Sequence, residues 1–130
     1  MTGSHIVIVD DDDAVRSYMR LFAEDLGHTV SEVNNGEEYL ALNPKHQVDL
    51  ILLDILMPKM HGAALLTTLA QNKACEKIIV ISSQKQVTIK TSISLAKNSG
   101  LKIMGYLRKP VDGDMLKAAI SEALDPSVKV

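Results

Sequence analysis

The strongest constraint on this chain is an alternation. Short runs of consecutive apolar residues recur along it, each followed by a longer stretch whose apolar residues fall at helical spacing. Ile6-Val7-Ile8-Val9, Leu50-Ile51-Leu52-Leu53 and Ile78-Ile79-Val80-Ile81 have no polar face. Strands of that kind must be covered on both sides, which places them in a parallel sheet between two helical layers. Thr29-Val30-Ser31-Glu32-Val33 alternates instead, as a half-buried strand does, and residues 102–107 supply a last strand. Helices are expected at 14–26, 37–42, 63–70 and 84–98. A final helix is capped by Asp112 and buries Leu116, Ala119, Ile120 and Ala123. Gly27, Asn34-Asn35-Gly36 and Pro126 punctuate these elements. The expected fold class is therefore α/β, a three-layer sandwich of alternating strands and helices with right-handed crossovers.

Composition narrows the function. A length of 130 residues predicts one domain, 1–130. With 46% hydrophobic residues but only Phe22, Tyr18, Tyr39 and Tyr106 as aromatics, its core must be aliphatic. Fourteen Lys and Arg against 16 Asp and Glu exclude a chain built to coat nucleic acid, and no direct nucleic-acid binding is expected. The single cysteine, Cys75, excludes an internal disulfide and a four-cysteine zinc site, and is expected as a small filler near the start of a strand. No apolar run reaches membrane-spanning length and the N-terminus lacks a signal-peptide pattern, so no membrane role and a cytoplasmic setting are expected. His5, His28 and His46 have no ligand spacing and are expected to be structural or solvated.

In a doubly wound sheet the functional crevice lies at the carboxyl ends of the strands. There this sequence places Asp10-Asp11-Asp12-Asp13, Asp54, Ser82 and Lys109-Pro110. Asp12 and Asp13 are expected as helix N-terminal acids, favoured by the dipole. Asp10 and Asp11 end a buried strand, where an idle acid pair is costly. Asp54 is the sole charge in the apolar run 50–57. Clustered carboxylates stay ionised only with a cation, and hard oxygen ligands without His or Cys suit Mg²⁺. A neighbouring lysine and a serine hydroxyl can bind phosphoryl oxygens, with an aspartate available as nucleophile.

The segments I-V-I-V-D-D-D-D-A-V-R (6–16), D-L-I-L-L-D-I-L-M-P-K-M-H-G (49–62), I-I-V-I-S-S (78–83) and Y-L-R-K-P (106–110) together resemble a two-component response-regulator receiver domain. The resemblance covers about 5–124, which marks the core of the domain. It implies a flavodoxin-like fold of five β-α units with strand order 2-1-3-4-5. It implies that Asp54 accepts a phosphoryl group from a histidine kinase or phosphotransfer protein. Mg²⁺ would be held by Asp10, Asp11, Asp54 and the backbone carbonyl of Leu56. Ser82 and Tyr106 would form the switch, and Lys109 would pair with the phosphoryl group. The moving surface would be residues 84–98, the strand at 102–107 and the helix after Asp112. Output would pass to a linked domain, a separate protein or a second copy. Beyond phosphorylating itself from a donor and slowly reversing that step, the domain would not act as an enzyme.

Departures from the family pattern carry information. His61 replaces an acid, Val111 replaces an aromatic, and Ser83 is larger than the usual small residue and is expected to narrow access to Asp54. Leu56 and Gln84 would border the attacking water; an apolar Leu56 orients water poorly, which predicts a phosphoryl group that outlasts seconds. Five residues separate Gly100 from Tyr106, where many receivers have three. The string from Ala96 to Pro110 is similar to receivers joined to EAL-type cyclic di-GMP phosphodiesterases. Competing readings are an aspartate-nucleophile phosphohydrolase, a degenerate receiver used as a binding scaffold, and a nucleotide binder. The last lacks a glycine-rich phosphate loop.

Overall fold

The computed structural model describes residues 3–42, 47–55, 62–72, 75–83, 94 and 100–125. Leu56, His46, His61, Gln84 and the helix expected at 84–98 lie outside them. In chain order the elements are β1 (His5–Val9), α1 (Asp13–Asp25), β2 (Thr29–Val33), α2 (Gly36–Leu42), β3 (Leu50–Asp54), α3 (Gly62–Gln71), β4 (Lys77–Ser82), β5 (Lys102–Arg108) and α4 (Gly113–Ala123). The strands form one sheet in the order β2-β1-β3-β4-β5, and every pairing is parallel. The expected α/β class and strand order are those observed.

Each central strand divides its side chains between two cores, because successive residues point to opposite faces. Val7, Val9, Ile51, Leu53, Ile78 and Val80 meet Tyr39 of α2 and Leu65, Leu66 and Leu69 of α3. Ile6, Ile8, Leu50, Leu52, Ile79 and Ile81 meet Met19 and Ala23 of α1 and Leu116, Ile120 and Ala123 of α4. Burial of each such Ile or Leu contributes roughly 1.5–3 kcal/mol. That two-sided cover is why these strands read as unbroken apolar runs. The edge strands β2 and β5 are only partly buried, as their mixed sequences foretell.

The helix ends follow from local chemistry. Asp12 caps α1, its carboxylate accepting the amide hydrogens of Ala14 and Val15. Asp112 caps α4 by accepting from Met115 N–H at 3.0 Å. Gly27 closes α1 at φ +92°, in the left-handed region that glycine occupies without a Cβ clash. Gly113 sits where α4 crosses α1: a Cβ there would lie 2.2 Å from the Phe22 ring. Lys117 reinforces the crossing by pairing with Asp25 and lying over the Phe22 ring.

One irregularity bears on the site. β5 pairs Ile78 with Ile103 but Ile79 with Gly105, so Met104 is an extra residue in the strand, a β-bulge. The lengthened stretch after Gly100 is partly taken up here. Strict alternation from Ile103 would send Tyr106 to the opposite face. The bulge instead returns Tyr106 to the core of Ile103, while Leu107 joins Met104 on the other side.

Candidate functional site

The parallel register gathers the candidate residues at one sheet edge. Asp10 follows β1, Asp54 ends β3 opposite Ile81, Ser82 ends β4 opposite Arg108, and Lys109 follows β5. Asp10 is fully buried, and Asp54 and Ser82 are nearly so. Backbone bonds lock the edge: Asp10 N–H donates to Val33 O at 3.2 Å, Ile55 N–H to Ile81 O at 3.2 Å, and Lys109 N–H to Ser82 O at 3.2 Å. The Lys109–Pro110 peptide is cis.

Lys109 closes the pocket. Its Nζ lies 2.9 Å from Asp10 Oδ2 and donates to Asp54 Oδ2 at 3.1 Å. Burial alone pulls the lysine pKa down, but the carboxylates of Asp10 and Asp54 outweigh it and the net shift is upward. Asp10 Oδ1 accepts the Asp12 N–H at 2.9 Å. Asp10 Oδ2 is buried without a hydrogen bond, so among the described residues only the charge of Lys109 compensates it.

Asp10, Asp11 and Asp54 each offer an oxygen within 4.8 Å of the others. Three carboxylates against one ammonium leave an excess of two negative charges. Oxygen-only donors, an under-satisfied buried carboxylate and that excess fit a hard divalent cation. The cluster can therefore hold a metal ion.

The expected burial of the Asp10–Asp11 pair is corrected in one respect. Asp10 is buried, but Asp11 is exposed, because the chain turns outward to start α1. The cost of an idle buried acid thus applies to Asp10 and Asp54. Asp12 and Asp13 are the helix-start acids expected. Cys75 is also corrected: it is exposed ahead of β4, not a filler, since the strand begins only at Lys77. Ser83 is exposed, and Tyr106 is half-buried against the α2–α3 core. His5 and His28 have structural partners: His5 lies 2.8 Å from Ser31 Oγ, and His28 Nδ1 accepts the Ser4 N–H at 3.0 Å.

Sequence reasoning passed over Arg16, which is only 8% exposed. Its Nη1 donates to the Asp10 carbonyl at 2.6 Å, Nε donates to Glu32 at 3.2 Å, and Nη2 meets Asp13. It also passed over the hydrogen bond from the buried Tyr39 hydroxyl to Glu76 at 2.8 Å. Buried arginine at a strand-to-helix junction and buried tyrosine in a short helix were the available signals. Beside Lys109, a hollow of about 370 Å³ is lined by Ala14, Val15, Tyr18, Pro110 and Val111.

A doubly wound sheet with a lysine-closed acidic pocket at its strand ends defines a class of α/β domains whose site suits a metal ion or a phosphoryl group. Within that class the chain is a member of the response regulator receiver domain family, whose model matches residues 6–121. It is 33% identical over 120 residues to a probable C4-dicarboxylate response regulator, DctR, of Halalkalibacterium halodurans, covering 90% of this chain and 50% of that protein. It is 28% identical over 120 residues to a cyclic di-GMP phosphodiesterase of Thermotoga maritima, covering 92% of this chain and 30% of that protein. A solved CheY-like response regulator receiver domain protein from Methanospirillum hungatei matches with a TM-score of 0.82 and 28% identity, over 95% of each chain. The chain thus spans half or less of the length of these two curated relatives. It is a receiver domain of two-component signalling, a class that signals and does not generally act as an enzyme. No helix among the described residues is long and apolar enough to cross a membrane.

Proposed function

We propose that this chain is a phosphorylation-activated switch whose acceptor is Asp54. The observation that carries the reading is the ammonium of Lys109 set against two buried carboxylates, Asp10 and Asp54, with Asp11 in reach. Mg²⁺ would be held by Asp10, Asp11, Asp54 and the Leu56 backbone carbonyl. Bound there, it would neutralise charge on the transferring phosphoryl group.

An Asp54 carboxylate oxygen forms the new P–O bond as the P–N bond of a donor phosphohistidine breaks. The leaving imidazole takes a proton from solvent. The donor is a histidine kinase or phosphotransfer protein, and the apolar hollow beside Lys109 gives its carrier a surface to cover. Lys109 then shares its donors with the phosphoryl oxygens, and the Ser82 hydroxyl turns toward them. Tyr106, on the same face as Val80 and half-buried, fills the space that Ser82 leaves. The result is a population shift on the surface of β5, α4 and residues 84–98.

The output is a linked domain, a separate protein or a second copy. Hydrolysis of cyclic di-GMP is one such output, supported by the Thermotoga maritima relative. The switch would work in the cytoplasm, alongside the protein that supplies its phosphoryl group.

Intact mass after incubation with Mg²⁺ and acetyl phosphate tests the reading. One added phosphoryl group is expected, absent without Mg²⁺. After donor removal it should persist well beyond seconds, given the apolar Leu56. No addition at saturating Mg²⁺ would favour a binding scaffold instead. Loss of half the label within seconds would refute the slow hydrolysis.

A further inference from the structure

The cation site depends on two adjacent acids that are held very differently. The Asp10 carboxylate is buried and tied to Asp12 N–H and Lys109. The Asp11 carboxylate is exposed, and among the described residues no hydrogen bond or ion pair holds it. Among the described residues, what directs it is its backbone. The Asp10–Asp11 peptide is planar, so fixing the Asp10 carbonyl fixes the plane from which Asp11 departs. Among the described residues Arg16 does this, its Nη1 donating to Asp10 O at 2.6 Å.

The guanidinium is itself held by its remaining nitrogens. Nε reaches Glu32 Oε1 at 3.2 Å on β2, and Nη2 meets Asp13 on α1. Arg20 meets the other oxygen of that carboxylate, Oε2, at 2.9 Å and makes no hydrogen bond or ion pair with the guanidinium's partners at Asp10 or Asp13. A planar fork with separate donors can serve a carbonyl and a carboxylate at once; an ammonium serves them poorly. Removal of the fork would leave the Asp10 carbonyl without a charged donor in a nearly dry place.

We propose that Arg16 is a positioning residue for the cation site, orienting Asp11 through the Asp10 carbonyl. This rests on the reading of Asp10, Asp11 and Asp54 as the Mg²⁺ ligands. Residues behind metal ligands commonly change affinity by about 10–100-fold when altered.

The test is Mn²⁺ titration of the full chain, read by the electron paramagnetic resonance signal of free Mn²⁺. Wild type, Arg16→Gln, Arg16→Lys and Arg20→Gln are compared below their unfolding temperatures. Arg16→Gln should bind about tenfold more weakly, and Arg16→Lys should bind more weakly than wild type but more tightly than Arg16→Gln. Arg20→Gln, which loses an ion pair to Glu32 but touches no part of Asp10, should bind as wild type does. In phosphorylation assays the half-saturating Mg²⁺ should rise with Arg16→Gln, while the rate at saturating Mg²⁺ returns to the wild-type value. If Arg16→Gln does not fold, Arg16→Lys decides. Wild-type affinity in a folded Arg16 variant would overturn the proposal while leaving the cation site standing. Equal weakening in Arg20→Gln would also overturn it, by assigning the effect to the tie between α1 and β2. A wild-type chain that binds no Mn²⁺ would overturn the cation site, and the role of Arg16 with it.

Discussion

Asp10 and Asp11 are neighbours in sequence with opposite surroundings, and their substitutions should separate. Asp11 is exposed and adds repulsion to the carboxylate cluster. In the absence of a divalent cation, Asp11→Asn should unfold at or above the wild-type temperature, and the stabilisation by Mg²⁺ should vanish. A large loss of stability without Mg²⁺ would show that Asp11 has a structural partner. Lys109→Gln acts the other way. It strips the charge that compensates buried Asp10 and Asp54, and should cost about 2–4 kcal/mol in denaturant unfolding, partly recovered by Mg²⁺. Tyr39 gives a pH test. Burial, and then its hydrogen bond to Glu76, push the phenol pKa well above the ordinary 10.0. The folded state keeps the proton where the unfolded state releases it. Its contribution is therefore complete below pH 10 and falls as pH rises further. Tyr39→Phe should cost about 1–2 kcal/mol at neutral pH and give a shallower alkaline decline. These residues also mark what the sequence could show. Asp54 was legible because one charge interrupts an apolar run. Arg16–Glu32 and Tyr39–Glu76 were not, since each joins ordinary polar residues far apart in the chain, and periodicity carries no trace of such pairs.

Elements were legible where burial imposes a simple period. β1, β3 and β4 are covered on both faces, so their apolar runs mark them to within a residue or so at each end. The helix starts at Asp12 and Asp112 were legible because capping is local chemistry. β5 was harder. Its extra length was visible as a count, but not that a bulge at Met104 absorbs a residue, because pairing with β4 decides that. The bulge makes a specific expectation. Deleting Met104 should regularise the strand and leave Ile103 and Tyr106 on one face. The variant should fold, lose about 1–2 kcal/mol of packing, and still show nuclear Overhauser contacts between Tyr106 and its strand neighbour Val80. Contacts from Tyr106 to Ile81 or Leu116 would mean that the face of the ring is set elsewhere.

Across the whole molecule, the strand order turns a linear spacing into a site. Asp11 and Asp54 are 43 residues apart, Asp54 and Ser82 28, and Ser82 and Lys109 27. The parallel register β2-β1-β3-β4-β5 brings their strand ends to one edge. Burial in the two aliphatic cores offsets the entropy cost of folding, leaving the edge free to hold like charges that a cation can reconcile. Binding of that cation to the folded chain alone should raise its stability by about 2.7 kcal/mol at a hundredfold excess over the dissociation constant. The identity of the acceptor is the claim on which the proposed function turns. An acyl phosphate on aspartate is reduced by borohydride to homoserine, so peptide mapping after phosphorylation and reduction reads the position directly. Homoserine at position 54, absent when Mg²⁺ is withheld, is the expected result. Homoserine at position 10 or 11, or phosphorylation undiminished in Asp54→Asn, would contradict it.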